Sequence, residues 1–359
     1  MTEDLANFSL VAVYSAMAIY TISFVAFALD LAKRSGDAQQ APASSAAATA
    51  GPDAGSARGA GRGSARAAVS GGSTIVLDRE AGTTVSAGQV RGDGTGGPDG
   101  TSGPGSTQRR RGSSFERVAT AMMVLGLLVH VSSVVTRGLA ADRVPWANMF
   151  EFSLTGTAII VAVYLVAGRF VDLSFLGAYV MGLNLVLLAI GSVNYYVEVV
   201  PLQPALQSAW LVIHVLVAIL GTGFFAIAAG LSIAQLIQTK REQARLSGLR
   251  FMDTLPAADR LEDLAYRVAL VGFVLWTFTL IAGAVWAERA WGRYWGWDTK
   301  EVWTFIIWVL YAGYIHARAT RGWRGARSSW LSIIGFAAVL FNFGVVNVFF
   351  KGLHAYSGL

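Results

Sequence analysis

"AWLVIHVLVAILGTGFFAIAAGLSIAQLI", residues 209–237, contains no Asp, Glu, Lys or Arg. A helix rises about 1.5 Å per residue, so a run of this length exceeds the ~30 Å hydrocarbon thickness of a bilayer. Similar apolar stretches lie at 8–31, 117–136, 152–168, 173–195, 264–287, 302–319 and 329–350. With 54% of 359 residues hydrophobic and only 14% charged, the chain has too little polar surface for a water-soluble domain of its size. The expected fold is all-α, a polytopic integral membrane protein of about eight transmembrane helices. The first stretch follows the polar, acidic start "MTEDLANFS", lacks a basic leader, and reads as an anchor that is retained.

The segments joining these spans alternate in basic residues. Lys33, Arg34, Arg109, Arg110, Arg111, Arg117, Arg169, Lys240, Arg241, Arg245, Arg318, Arg321, Arg324 and Arg327 fall on one side. Arg137, Arg143, Arg289, Arg293, Lys300 and Lys351 fall on the other. The richer side is expected to be cytoplasmic, which puts both termini on the outer face. The net charge of +6 then reflects membrane topology, and nucleic acid is not an expected partner. Contact with membrane lipid is.

Three regions follow: an N-terminal transmembrane helix (1–34), a linker (35–114) and a seven-helix membrane domain (115–359). The linker is rich in Gly, Ala, Ser and Arg, has no apolar periodicity and is expected to be a disordered cytoplasmic spacer. The segment 239–262 reads as a polar cytoplasmic loop with a short interfacial helix.

The chain has no cysteine, so disulfides, thiolate metal sites and thiol redox chemistry within it are excluded. Four histidines remain as the ligand inventory: His130, His214, His316 and His354. An isolated His in a helix is usually packed and hydrogen-bonded, but ionisable groups inside a membrane usually face a partner or a cavity. His214 and His354 share the predicted outer face with "WGRYWGWDTKEVW", residues 291–303, which places Trp291, Trp295, Trp297 and Trp303 around Asp298, Lys300 and Glu301. Two neutral imidazoles suit the axial positions of a haem iron, and indoles offer flat apolar surface to a porphyrin. An interfacial aromatic belt is the competing reading, and it accounts for Trp286 and Trp308.

The polar residues carry two readings each. Asp298 with Glu301 three positions on has the spacing of a helix N-cap and its capping-box partner, or belongs to the chemistry. Arg289, Arg293 and Lys300 would meet propionates or lipid headgroups. In "VPWANMFEF", Trp146 and Asn148 line the outer site or cap the third helix. His130 holds a buried hydrogen bond or lies along a haem path.

These motifs resemble a known family. "WGRYWGWDTKEVW" is similar to the tryptophan-rich WWD signature of haem-handling membrane proteins. Residues 117–359 resemble the CcsA/ResC branch of the system II cytochrome c synthetase, often labelled CcsB in actinobacteria, through "VPWANMFEF", "WLVIHVLVAILG", "YAGYIHAR" and "GVVNVFFKGLHAY". The resemblance implies that His214 and His354 ligate haem b at the outer face, that 291–303 presents it, and that His316 ligates haem held within the membrane. It also implies a CcsB/ResB-like membrane partner, a CxxCH apocytochrome c as acceptor of the haem, a separate thiol-reductant protein and residence in a bacterial plasma membrane. A haem exporter or chaperone without ligase activity, and an unrelated small-molecule transporter, are the alternatives. Thr299 stands where that family usually has Pro, and a Thr is compatible with a helix start.

Overall fold

A computed structural model describes residues 2–49, 113–200, 206–244, 252, 254–320, 322–350 and 352–354, with backbone alone for 37–49 and 244. The chain order is α1 (Thr2–Thr49), α2 (Ser114–Ala141), α3 (Met149–Phe170), a 3₁₀ turn (Ser174–Leu176), α4 (Gly177–Asn194), α5 (Ala209–Ala244), α6 (Ala258–Trp291), α7 (Thr299–Thr320) and α8 (Ala326–Phe341). A π-turn (Asn342–Val346) and a last short turn, α9 (Asn347–Phe349), follow. Among the described residues there is no strand. The linker read from sequence at 35–114 lies for the most part outside the described residues.

Among the described residues, seven helices are long and apolar enough to cross a membrane. The eighth, α7, is less apolar because Lys300, Glu301, His316 and Arg318 share its 22 residues, and it packs against α6 and α8. The fold is therefore the expected polytopic helical one, in which each helix satisfies its own backbone. Between α5 and α6, the helices extend to Ala244 and from Ala258; the gap between them, where the interfacial helix is expected, lies mostly outside the described residues, of which Met252 and Thr254 have 3₁₀ conformation. The backbone N–H of Ala258 donates to the Glu242 carboxylate across that gap, at 3.1 Å.

The faces are sorted as lipid demands. On α2, Leu128, Val131, Val135 and Leu139 are exposed, while His130, Ser133 and Arg137 are buried against neighbouring helices. One core gathers Tyr20, Met123, Val161 and Met181 from α1–α4. A second gathers Phe225, Trp276, Tyr311 and Phe336 from α5–α8, with Phe225 stacked on Tyr311 at a centroid distance of 3.6 Å. His130 belongs to the first region, where its Nδ1 lies 3.3 Å from the Tyr20 hydroxyl.

Close approach depends on small residues. A Cβ at Gly191 on α4 would lie 2.4 Å from Ser153 Cβ on α3, and the Ser153 hydroxyl is already donated to Met149 O at 2.7 Å. Gly191→Ala is expected to force the two helices apart and to destabilise the bundle by about 1–3 kcal/mol. Thermal unfolding in detergent measures this, and an unchanged midpoint would show that the contact is slack.

Because successive helices alternate in direction, the start of α1, residues 142–148, 195–200, 206–208 and 292–298, and residues 352–354 after α9 all gather at one end of the bundle. The candidate site described next lies at that end.

Candidate functional site

His214 sits in the second turn of α5. Its Nδ1 lies 3.0 Å from the carbonyl oxygen of Thr279 on α6. The imidazole reaches that backbone because Gly283, one turn further on, has no side chain: a Cβ there would lie 2.8 Å from His214 Cε1. A carbonyl can only accept, so Nδ1 carries the proton and the lone pair is left on Nε2.

His354 reaches the same place from the other end of the sequence. Its Nδ1 donates to Asp298 Oδ2 at 2.7 Å, which again leaves the lone pair on Nε2. A Cβ at Gly352 would collide with Asp298 Oδ1, so a side chain there would displace the carboxylate over which the terminal segment closes. The His354 hydrogen bond, followed by N–H groups of Leu353 and Lys300, holds the Asp298 carboxyl below the usual carboxylate range. Burial pushes the His354 imidazole below its ordinary value and outweighs the raising effect of Asp298, so the ring is neutral near pH 7.

Asp298 is held in turn by the start of α7. Glu301 Oε2 accepts from the backbone N–H of Asp298 at 3.0 Å and of Gly296 at 2.8 Å, the reciprocal half of a capping box. Asp298 therefore starts the helix and also orients a histidine.

Indoles enclose the pair. Trp286 stacks on His214 (5.9 Å between centroids, 13° between planes) and meets His354 edge-on at 5.4 Å. Trp291 packs edge-on against both Trp286 (4.7 Å) and His354 (4.8 Å). Trp286 is 1% exposed, so its assignment to an interfacial belt is corrected: it is a buried wall of the site. Trp308 is half-buried and donates its Nε1–H to Thr277 on α6.

Trp146, Asn148, His214, Trp286, Lys300 and His354 line a cavity of about 170 Å³. A smaller one of about 60 Å³ adjoins it, with Trp295, Lys300, Glu301 and the same two histidines in its wall. Asn148 also caps α3, accepting the Glu151 N–H at 2.9 Å. Trp297 projects outward, 73% exposed, from a backbone at φ 60°, a conformation that bulky residues avoid. Such strain at an exposed indole is not explained by packing. The Arg293 guanidinium lies across Gly296, in the space a Cβ would fill.

The remaining sequence candidates lie elsewhere. Trp303 packs on Phe341 at 4.4 Å within the second core. His316 is exposed on α7, more than four turns from Lys300, and lines neither cavity.

Sequence reasoning missed the buried hub that supports this end. Glu151 accepts from Arg137 Nε (3.0 Å), Arg143 Nη1 (2.6 Å) and the Ala147 N–H (3.0 Å), and Arg137 also reaches Val197 O at 2.8 Å. The signal was present as a capping box, Asn148 with Glu151 three residues later, but the two arginine partners are not local.

The sequence profile of the family described as "Cytochrome C assembly protein" matches residues 120–354. The chain belongs to the cytochrome c assembly family. Two relatives bear the name cytochrome c biogenesis protein CcsA. That of Gloeobacter violaceus is 32% identical over 301 residues, covering 70% of this chain and 89% of the relative. That of Guillardia theta is 34% identical over 267 residues, covering 69% and 85%. A solved structure titled cytochrome c heme lyase CcmF aligns with a TM-score of 0.48 at 18% identity, over 64% of this chain and 41% of that one. In this cytochrome c assembly protein the matched range runs from α2 to His354, so it takes in all four histidines and leaves α1 outside.

Proposed function

We propose that this chain is the haem-binding membrane subunit of a system II cytochrome c synthetase. It takes haem b at the His214–His354 cavity and holds it for attachment to a CxxCH apocytochrome c. The observation that carries this reading is the pair of imidazoles at one cavity, each with Nδ1 anchored to a fixed acceptor and Nε2 left as a ligand. That donor set fits a haem iron. The cavity is close in size to one that holds benzene and smaller than a porphyrin, so it encloses the part of the macrocycle around the iron and leaves the rest open to a partner.

The haem supplies vinyl groups, and the S–H of each apocytochrome thiol adds across one of them to form a thioether. The chain's own residues bind and orient. His214 and His354 hold the iron, Asp298 and Thr279 O hold the histidines, and Trp286 and Trp291 exclude water. Trp295 and the exposed Trp297 belong to the presenting surface, with Arg293 behind them. Having no cysteine, the chain offers no thiol that competes for the vinyl groups, and a separate reductant keeps the apocytochrome thiols reduced. The alternation of basic residues supports an outward-facing site in a bacterial plasma membrane. The exposed position of His316 supports a ligand shared with a CcsB/ResB-like subunit within the membrane.

Haem titration of the purified full-length chain tests the reading, with a low-spin bis-imidazole spectrum expected. Asp298→Asn keeps the shape but removes the charge behind His354, and is expected to weaken haem binding roughly 10–100-fold. Unchanged affinity in that variant would remove Asp298 from the site, and a wild-type chain that binds no haem would remove the function.

A further inference from the structure

Lys300 has no place in the ligand set just described, yet its side chain lines both cavities beside His214 and His354. Its ammonium donates to the side-chain oxygen of Asn347, a neutral acceptor. The Asn347 amide nitrogen rests 2.9 Å from Met149 Sδ, a weak acceptor, so the whole chain of contacts from α7 through α9 to α3 contains no negative charge.

Other buried cations of this protein are treated differently. Arg137, Arg143 and Arg318 each have a carboxylate oxygen within 3.0 Å. Of the two acids next to Lys300, Asp298 receives His354 and Glu301 Oε2 receives two backbone N–H groups; the Asp298 charge is felt at Lys300, but among the described residues neither carboxylate forms an ion pair with the ammonium. Among the described residues, no Asp or Glu lines the larger cavity. Lys300 also occupies the first turn of α7, where the helix dipole disfavours a cation. A positive charge in that position is unfavourable for folding and favourable for an anion that enters the cavity. An ammonium has three donors, and Asn347 takes one.

We propose that Lys300 is the carboxylate subsite of this cavity, receiving a propionate of the porphyrin whose iron lies between His214 and His354. The assignment rests on the haem reading above. It gives the site a polarity: one edge of the porphyrin is anchored by its acid groups at the start of α7, which leaves the other edges to the exposed indoles and the acceptor protein.

The test compares haem with its dimethyl ester, in which both carboxylates are masked, on the full-length chain in a neutral detergent. Wild type is expected to bind the diacid at least about tenfold more tightly than the diester, as for a charge-assisted contact. In Lys300→Met that ratio falls to near one, while the bis-imidazole spectrum is kept because the iron ligands are untouched. Lys300→Gln serves as a second neutral variant should Met disturb the fold, and Lys300→Arg is expected to retain the preference. A wild-type ratio in both neutral variants would overturn the proposal and leave the haem reading standing. Failure of the wild type to bind either porphyrin would overturn both. Added phosphatidylglycerol is expected to leave haem affinity unchanged; competition by that lipid in wild type but not in Lys300→Met would assign the ammonium to a headgroup phosphate and overturn the carboxylate assignment.

Discussion

His214→Gly and His354→Gly each abolish bis-imidazole haem ligation, with affinity lower by more than the roughly 100-fold that loss of a supporting residue produces, and free imidazole restores it. Restoration is expected because the acceptors stay in place. Thr279 O and Asp298 Oδ2 lie 3.0 and 2.7 Å from the Nδ1 atoms they now hold, so an imidazole in the vacated space finds the same hydrogen bond and presents the same lone pair. His316→Gly affects a different step. Its side chain is exposed on α7 and touches neither cavity, so a purified His316→Gly chain given haem shows the wild-type outer-site spectrum, whereas cells carrying it show reduced haem at that site. Optical spectra of the three variants at matched protein levels, with and without imidazole, check this. If His214→Gly and His316→Gly gave the same spectrum and neither responded to imidazole, the two-site assignment would fail.

Glu151→Gln is expected to lower stability by about 3–5 kcal/mol, the range for removing one partner of a buried ion pair. Arg137, Glu151 and Arg143 are 1%, 0% and 8% exposed at the side chain, so no water replaces the lost carboxylate. The amide of Gln offers one oxygen where two are used and turns donors toward donors. The effect extends to function, since Glu151 Oε2 also fixes the Ala147 N–H between Trp146 and Asn148, two residues of the cavity wall. Thermal unfolding in detergent together with haem titration measures both consequences. A variant that melts with the wild type would show that the two arginines are neutralised by other groups.

Much of this protein is legible without coordinates. A run such as 209–237 has only one way to satisfy its backbone in lipid, so the helices at 152–168, 173–195, 209–237 and 264–287 were predictable from composition and length, and the ends erred by up to about two turns. The same local logic reads Asp298 and Glu301 as a helix start, since a capping box is written within four residues. His214 and His354 stand out because ionisable side chains are few in such a chain.

The uses of those residues were decided by tertiary structure. Nothing near His214 in sequence indicates that Gly283 opens a path to Thr279 O, 65 positions away, or that Gly352 lets His354 close on Asp298. Trp286 has the sequence context of a belt residue and becomes a buried wall only when α5 and the terminal segment pack on either side of it. Trp303, eight residues beyond Trp295, faces the second core because helical turning in α7 carries it away from the cavity. Hydropathy and capping act between residues within a few turns, so sequence determines where the helices are and where they begin. A ligand's tautomer, a cation's missing counter-ion and a glycine's necessity depend on which helices touch, because each is a contact between side chains or backbone that the bundle alone brings within hydrogen-bond distance.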